Sequence, residues 1–105
     1  MYAMPVPLVT VAEDLGDVKA VVVFGSGGRV LVLRGRVPGL DGYYDAVRVD
    51  YNGGLYRVWF IRRGRVDWVD VTWLGLVATF LRRVDVIRLL LDYMLEPPLQ
   101  WGAKP

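Results

Sequence analysis

Alternation of apolar and polar residues organises most of this chain into strands. Val18 to Phe24 is a continuous apolar run of strand length, and Gly25-Ser26-Gly27-Gly28 turns it into a second run, Arg29 to Val37. With Phe24 opposite Arg29, this hairpin sets Ala20, Val22, Leu31 and Leu33 on one face and Val21, Val23, Val30 and Val32 on the other. Both faces are apolar, so the pair is expected at the centre of a sheet, covered on both sides. Pro38-Gly39-Leu40-Asp41-Gly42 is a turn-rich break before two further strands, Tyr43 to Tyr51 and Leu55 to Arg62, joined at Asn52-Gly53-Gly54. A two-residue Gly53-Gly54 loop pairs Tyr51 with Tyr56, Val49 with Val58 and Val47 with Phe60, while Asp50 meets Arg57 and Arg48 meets Trp59. That register separates a core face from a polar one. Arg62-Arg63-Gly64-Arg65 leads into a short strand, Val66 to Val69, with two registers open: a two-residue turn pairs Phe60 with Asp67, a three-residue turn pairs it with Trp68.

The ends of the chain read differently. Residues 1–9, with Pro5 and Pro7, form an extended lead-in that can pair only at a sheet edge, because proline has no amide donor. Thr10 to Leu15 is expected as a short helical turn, with Thr10 as cap and Glu13 at capping-box spacing. In the last third, Trp73, Val77, Phe80, Val84, Ile87, Leu91 and Met94 follow a 4-3-4-3-4-3 spacing that fits one helix of about 25 residues and a coiled-coil seam. Three features oppose it. Arg83 falls inside the apolar arc, Asp92 and Glu96 carry the wrong sign for a helix C-terminus, and Val84 to Met94 is partly β-branched and alternates in a strand period. A helix from Thr72 to about Arg83, capped by Asp70 or Thr72, followed by a strand from Val86 to Met94, removes all three conflicts. Pro97-Pro98 ends either version, and 97–105 is a tail in which Leu99 and Trp101 can dock as an edge. The expected fold is therefore α+β: a single domain, mainly antiparallel or mixed sheet of five or more strands, with one main helix near residues 72–83.

Composition narrows the chemistry. The 105 residues are 54% apolar, enough for one core and too many for a disordered chain, and the absence of His and Cys removes disulfides, thiolate or imidazole metal sites and Ser-His or Cys-His nucleophile pairs. No cofactor is expected and the chain by itself does not read as an enzyme. The uncharged run Val71 to Leu81 is far shorter than the roughly 20 residues of a membrane span, and the N-terminus lacks a secretory pattern, so a cytoplasmic location is expected. Gly25-Ser26-Gly27-Gly28 precedes a strand rather than a helix and lacks the Lys-Ser/Thr of a phosphate loop, so it reads as a hairpin turn. Asp67 and Asp70 form a close carboxylate pair near a helix start, which reads as a cap and a solvated charge rather than a metal site. The net charge is only +2, yet 11 of the 13 basic residues are Arg, the side chain suited to phosphate and to aromatic faces. Arg48, Arg57 and Trp59 share one sheet face in the register above, with Arg62, Arg63 and Arg65 at the neighbouring turn. Guanidinium donors beside a stacking ring are what single-stranded nucleic acid uses. The same face reads equally as a solvated one, with Asp50 pairing Arg57 and Arg48 lying over Trp59.

The order of turns and strands resembles the C-terminal domain of archaeal tRNA-splicing endonuclease subunits. The resemblance is carried by Val11-Ala12-Glu13-Asp14-Leu15, by the glycine turn and strand from Gly25 to Leu33, by Pro38-Gly39-Leu40-Asp41-Gly42 and by Ile87-Arg88-Leu89-Leu90-Leu91. It covers most of residues 11–95, with 50–65 as an extra hairpin. That family's catalytic Tyr, His and Lys correspond to Leu33, Gly42 and Val86-Ile87-Arg88 here, and none is present. The resemblance implies a non-catalytic, structural subunit of an RNA-processing hetero-oligomer that supports a catalytic partner. Leu89, Leu91, Tyr93, Leu99 and Trp101 would form the subunit interface, by sheet-edge addition of the late strands. The rival expectation is a free-standing single-stranded nucleic-acid-binding protein, dimeric through a C-terminal helix.

Overall fold

Every turn signal between Gly25 and Arg65 closes a hairpin, and the result is a simple meander. A computed structural model of the chain describes residues 8–25 and 28–95. Six strands, β1 (Val9–Asp14), β2 (Val18–Gly25), β3 (Gly28–Gly39), β4 (Gly42–Asn52), β5 (Leu55–Arg62) and β6 (Arg65–Val71), form one antiparallel sheet in sequence order. The expected registers hold: Phe24 faces Arg29, Tyr51 faces Tyr56 and Arg48 faces Trp59. The open choice at the last hairpin resolves to the two-residue turn, with Phe60 opposite Asp67. Arg63 and Gly64 occupy that turn with φ of 52° and 77°, the positive-φ pair that a tight hairpin requires.

The short helix expected from Thr10 to Leu15 is instead β1. Its capping-box spacing is real, but Val9, Thr10 and Val11 are β-branched, and pairing with β2 from Val9↔Phe24 to Asp14↔Lys19 satisfies the backbone that a one-turn helix would leave open. The Asp14 carboxylate accepts a hydrogen bond from the Gly16 amide at 2.9 Å, and Gly16 takes φ of 88° to turn the chain into β2. The lead-in at 1–7 lies outside the described residues.

After β6, Thr72 caps α1 (Trp73–Thr79), its hydroxyl accepting from the Gly75 amide at 3.3 Å. The helix is broken, but it ends at Thr79 rather than near Arg83, the break falls at 80–83, and the segment beyond it is not a strand. It is α2 (Val84–Leu89) running into a π-helical turn, Leu90–Met94. The alternation of Ile87, Leu89, Leu91 and Tyr93 loses to the helical set Val86, Leu89, Leu90 and Met94, all of which are buried. Helical geometry lays these four, together with Leu76 and Phe80, over Val22, Leu31, Leu33, Val49 and Val58 in a single core. A strand would have left that sheet face open to water. The break also removes Arg83 from the apolar arc. Its guanidinium pairs with Asp17 at 3.0 Å and Asp85 at 2.8 Å, tying the helix junction to the turn between β1 and β2.

The expectation that β2 and β3 are covered on both sides is corrected. Ala20, Val22, Leu31 and Leu33 are buried at 0–1% exposure, but Val21 on the other face is 36% exposed and Val23, Val30 and Val32 are only half-buried. Six strands span roughly 24 Å, and the described helical segments, of seven, six and five residues, cover one such face, not two. No described helix is long and apolar enough to cross a membrane.

Candidate interaction face

The uncovered face is built row by row from the registers. Ala12, Val21, Val32, Arg48, Trp59 and Trp68 lie in one line across the six strands. Thr10, Val23, Val30, Asp50, Arg57 and Asp70 form the next. Directly opposite residues in an antiparallel sheet share a face, so these rows belong to one surface with two halves. In these rows strands β1–β3 contribute valine, alanine and threonine; strands β4–β6 contribute Arg, Asp and Trp.

The polar half is internally neutralised. Arg48 Nε lies 2.7 Å from Asp50 Oδ1, and the Trp59 indole N–H donates to the other oxygen of Asp50 at 3.3 Å. Arg57 holds Asp70 through two hydrogen bonds of 2.8 and 3.0 Å while its guanidinium carbon sits 3.9 Å from the centre of the Trp68 ring. Trp59 and Trp68 pack at 5.9 Å with their planes tilted by 46°. The Arg57 hydrogen bonds hold the Asp70 carboxyl below the usual carboxylate range, and the same contact raises Arg57 above its ordinary value. Each cation of this half therefore has its own carboxylate. The partners differ from those the register alone suggests: Asp50 takes Arg48 rather than Arg57, and the arginine over the rings is Arg57, 3.9 Å from the centre of Trp68 and 6.0 Å from that of Trp59, rather than Arg48.

The structure thus brings Arg48, Arg57 and Trp59 together and adds Trp68, which the sequence did not single out because the register of β6 was open. The glycine at 64, which permits the two-residue turn, is the signal that places Trp68 there. Arg62 and Arg65 do not join this face. They sit opposite one another at the end of β5 and β6 and share the side of Phe60 and Asp67, which is the helix-covered side. Asp67 and Asp70 are likewise split between the two faces, and Asp70 binds Arg57 instead of capping α1. Among the described residues no group of three or more acidic side chains is placed to hold a metal ion.

The late-strand interface is corrected along with the late strand. Leu89 is 4% exposed and belongs to the core, and Tyr93 is half-buried with its ring 6.1 Å from Phe24. Leu91 alone of the three is open, at 52%. Leu99 and Trp101 lie outside the described residues. The continuous terminal helix through which the rival dimer would pair is interrupted at 80–83. No family model, curated protein or solved structure matches this chain.

Proposed function

We propose that this protein is a structural assembly subunit, which contributes a binding surface rather than chemistry, and that the surface is the open face of the sheet. One observation carries the reading: among the described residues, a valine-rich half of one face of the six-stranded sheet has no covering layer, while Arg48 and Arg57 of the other half are paired within the chain. Such a face matches the apolar surface of a partner polypeptide. It is poorly matched to a polyanion, which draws its affinity from unpaired cations. The resemblance to tRNA-splicing endonuclease subunits supplies one setting, an RNA-processing hetero-oligomer. Because residues 84–94 are helical, docking there goes through the open face rather than through addition of late strands to a sheet edge.

The test is affinity purification of the chain and its Val21→Asp/Val32→Asp variant, identification of any subunit that co-purifies with the wild type alone, and light scattering on the complex rebuilt from pure components. A folded variant that no longer forms the complex supports the reading. A wild type that stays monomeric with every candidate, or a variant that assembles as well as the wild type, overturns it.

A second reading, single-stranded nucleic-acid binding on the polar half, is favoured by Arg57 lying over the 52%-exposed Trp68 beside Trp59. It requires salt-dependent oligonucleotide binding that is lost in Arg57→Ala and Trp59→Ala.

A further inference from the structure

We propose that the tip of the β5–β6 hairpin is a site for the phosphate group of a nucleotide, held between Arg62 and Arg65. The inference does not rest on the open face, because these two arginines lie on the other side of the sheet. Three independent features converge. First, Arg62 and Arg65 are directly opposed across the hairpin, an arrangement of like charges that opposes pairing of the strands. Second, Arg63 between them takes φ of 52°, the only positive φ at a non-glycine residue among those described, at a turn position where Asn or Gly is the unstrained choice. A tip that carries three arginines against both local strain and mutual repulsion has the character of a functional site.

Third, the neighbouring carboxylates pair with Arg62 and hold the turn, and none of them pairs with the Arg63 or Arg65 guanidinium. Asp45 accepts a hydrogen bond from the Arg63 backbone amide at 2.9 Å. Asp41 receives the Tyr44 hydroxyl and lies 3.9 Å from Arg62. Arg63 and Arg65 form no ion pair among the described residues, in contrast to Arg48, Arg57 and Arg83, which all do. Between Arg62 and Arg65 the surface forms a hollow of about 280 Å³, with Tyr44, Phe60 and Asp67 as its remaining lining. The Tyr44 and Phe60 rings, 4.9 Å apart, give it an aromatic floor, and Arg62 lies 4.6 Å over Tyr44. Arg62 shares its charge with Asp41 and Asp67 faces the hollow, which leaves Arg65 as the lining guanidinium without an ion pair among the described residues. The planar guanidinium forks suit phosphate oxygens, and the floor suits a base or sugar attached to that phosphate.

The phosphate could come from a free nucleotide or from the backbone of a single strand, and the experiment separates the two. The full chain is titrated with inorganic phosphate, a nucleoside monophosphate and a short single-stranded oligonucleotide, while the arginine Nε–H signals are followed by NMR. The nucleoside monophosphate is expected to shift the Arg62 and Arg65 signals saturably and to bind more tightly than inorganic phosphate. Arg65→Gln is expected to weaken it by about tenfold. Tighter binding of the oligonucleotide at the same signals, falling with added salt, identifies the strand as the source; equal binding identifies the free nucleotide. Arginine signals of the wild type that do not move at millimolar ligand, or an Arg65→Gln variant that binds as tightly as the wild type, overturn the proposal.

Discussion

Gly35 and Asp17 meet backbone to backbone where β3 passes the turn between β1 and β2. A β-carbon built on Gly35 would stand 2.1 Å from the Asp17 carbonyl oxygen, and Gly35 takes φ of 120°, a conformation nearly closed to other residues. The adjoining Arg36 amide donates to that same carbonyl at 3.2 Å, so the contact is part of the pairing of the chain and cannot relax by a side-chain move. Gly35→Ala is expected to destabilise the fold by about 3 kcal/mol, combining backbone strain with overpacking. Gly28→Ala, where nothing lies within 4 Å and φ is not positive, is the control and is expected to stay within about 0.5 kcal/mol of the wild type. Denaturant unfolding of the two variants checks both.

Arg83 holds the helix junction by charge, and that makes its contribution depend on pH. Its hydrogen bonds keep the Asp85 carboxyl below its ordinary value of 3.8. A carboxyl with a depressed folded pKa contributes stability that is fully present above 3.8 and is lost as the pH falls through the folded value. Arg83→Gln is expected to lower stability by about 1 kcal/mol near neutral pH, since Asp85 and Asp17 are partly exposed and solvent screens the pairs. The difference between variant and wild type should shrink as the pH drops below 3.8, where Asp85 becomes protonated in both. Unfolding curves at a series of pH values give the answer; a gap that stays constant into acid would mean that Arg83 acts by packing alone.

Tyr56 anchors the end of the chain's described part to the sheet. The residue is 2% exposed, and its hydroxyl donates to the Met94 carbonyl at 2.9 Å, across the core from β5 to the π-helical turn. Tyr56→Phe keeps the ring packing against Tyr51 and Trp73 but removes this donor. A loss of about 1–2 kcal/mol is expected. Hydrogen exchange should localise the effect, with the Leu95 amide, which donates to the Leu90 carbonyl, exchanging faster than in the wild type while the β2 and β3 amides change little.

How far the sequence reveals this fold depends on whether one residue pattern fits one element. Hairpins with a unique glycine loop were legible to the residue, because Gly53-Gly54 permits one register and that register alone sorts Val47, Val49 and Val58 from Arg48 and Arg57. The β5–β6 turn was not, since Arg63 is an unfavoured residue at a position of positive φ. With that register unsettled, Trp68 stayed hidden as a member of the candidate face. Residues 84–94 fit a strand period and a helix period together, and local pattern cannot choose between them. The choice is made by the sheet, whose exposed apolar face is covered by Val86, Leu90 and Met94 only if the segment is helical. At β1 the same competition ran the other way, and strand pairing outweighed a capping box one turn long. The β2–β3 hairpin carries enough valine on both sides to suggest two covered faces, a pattern from which the amount of chain left to do the covering cannot be read.

The adjacent residues Val32 and Leu33 put the one-sided sheet to the test. Leu33 points into the core with no exposed surface, whereas Val32 lies on the open face between Val21 and Arg48. Leu33→Ala removes buried methyl groups and leaves a cavity beneath the helices, for an expected loss of about 3 kcal/mol. Val32→Thr on the open face replaces one methyl by a hydroxyl that water can reach, and a change of under about 1 kcal/mol is expected in the isolated chain. If a partner covers the face, the same hydroxyl is buried without an acceptor, and Val32→Thr then weakens association more than it weakens folding. Urea unfolding of the isolated chain and titration of the assembled complex separate the two effects. Equal losses for Val32→Thr and Leu33→Ala in the isolated chain would mean that both faces are covered within one molecule, contrary to the arrangement found here.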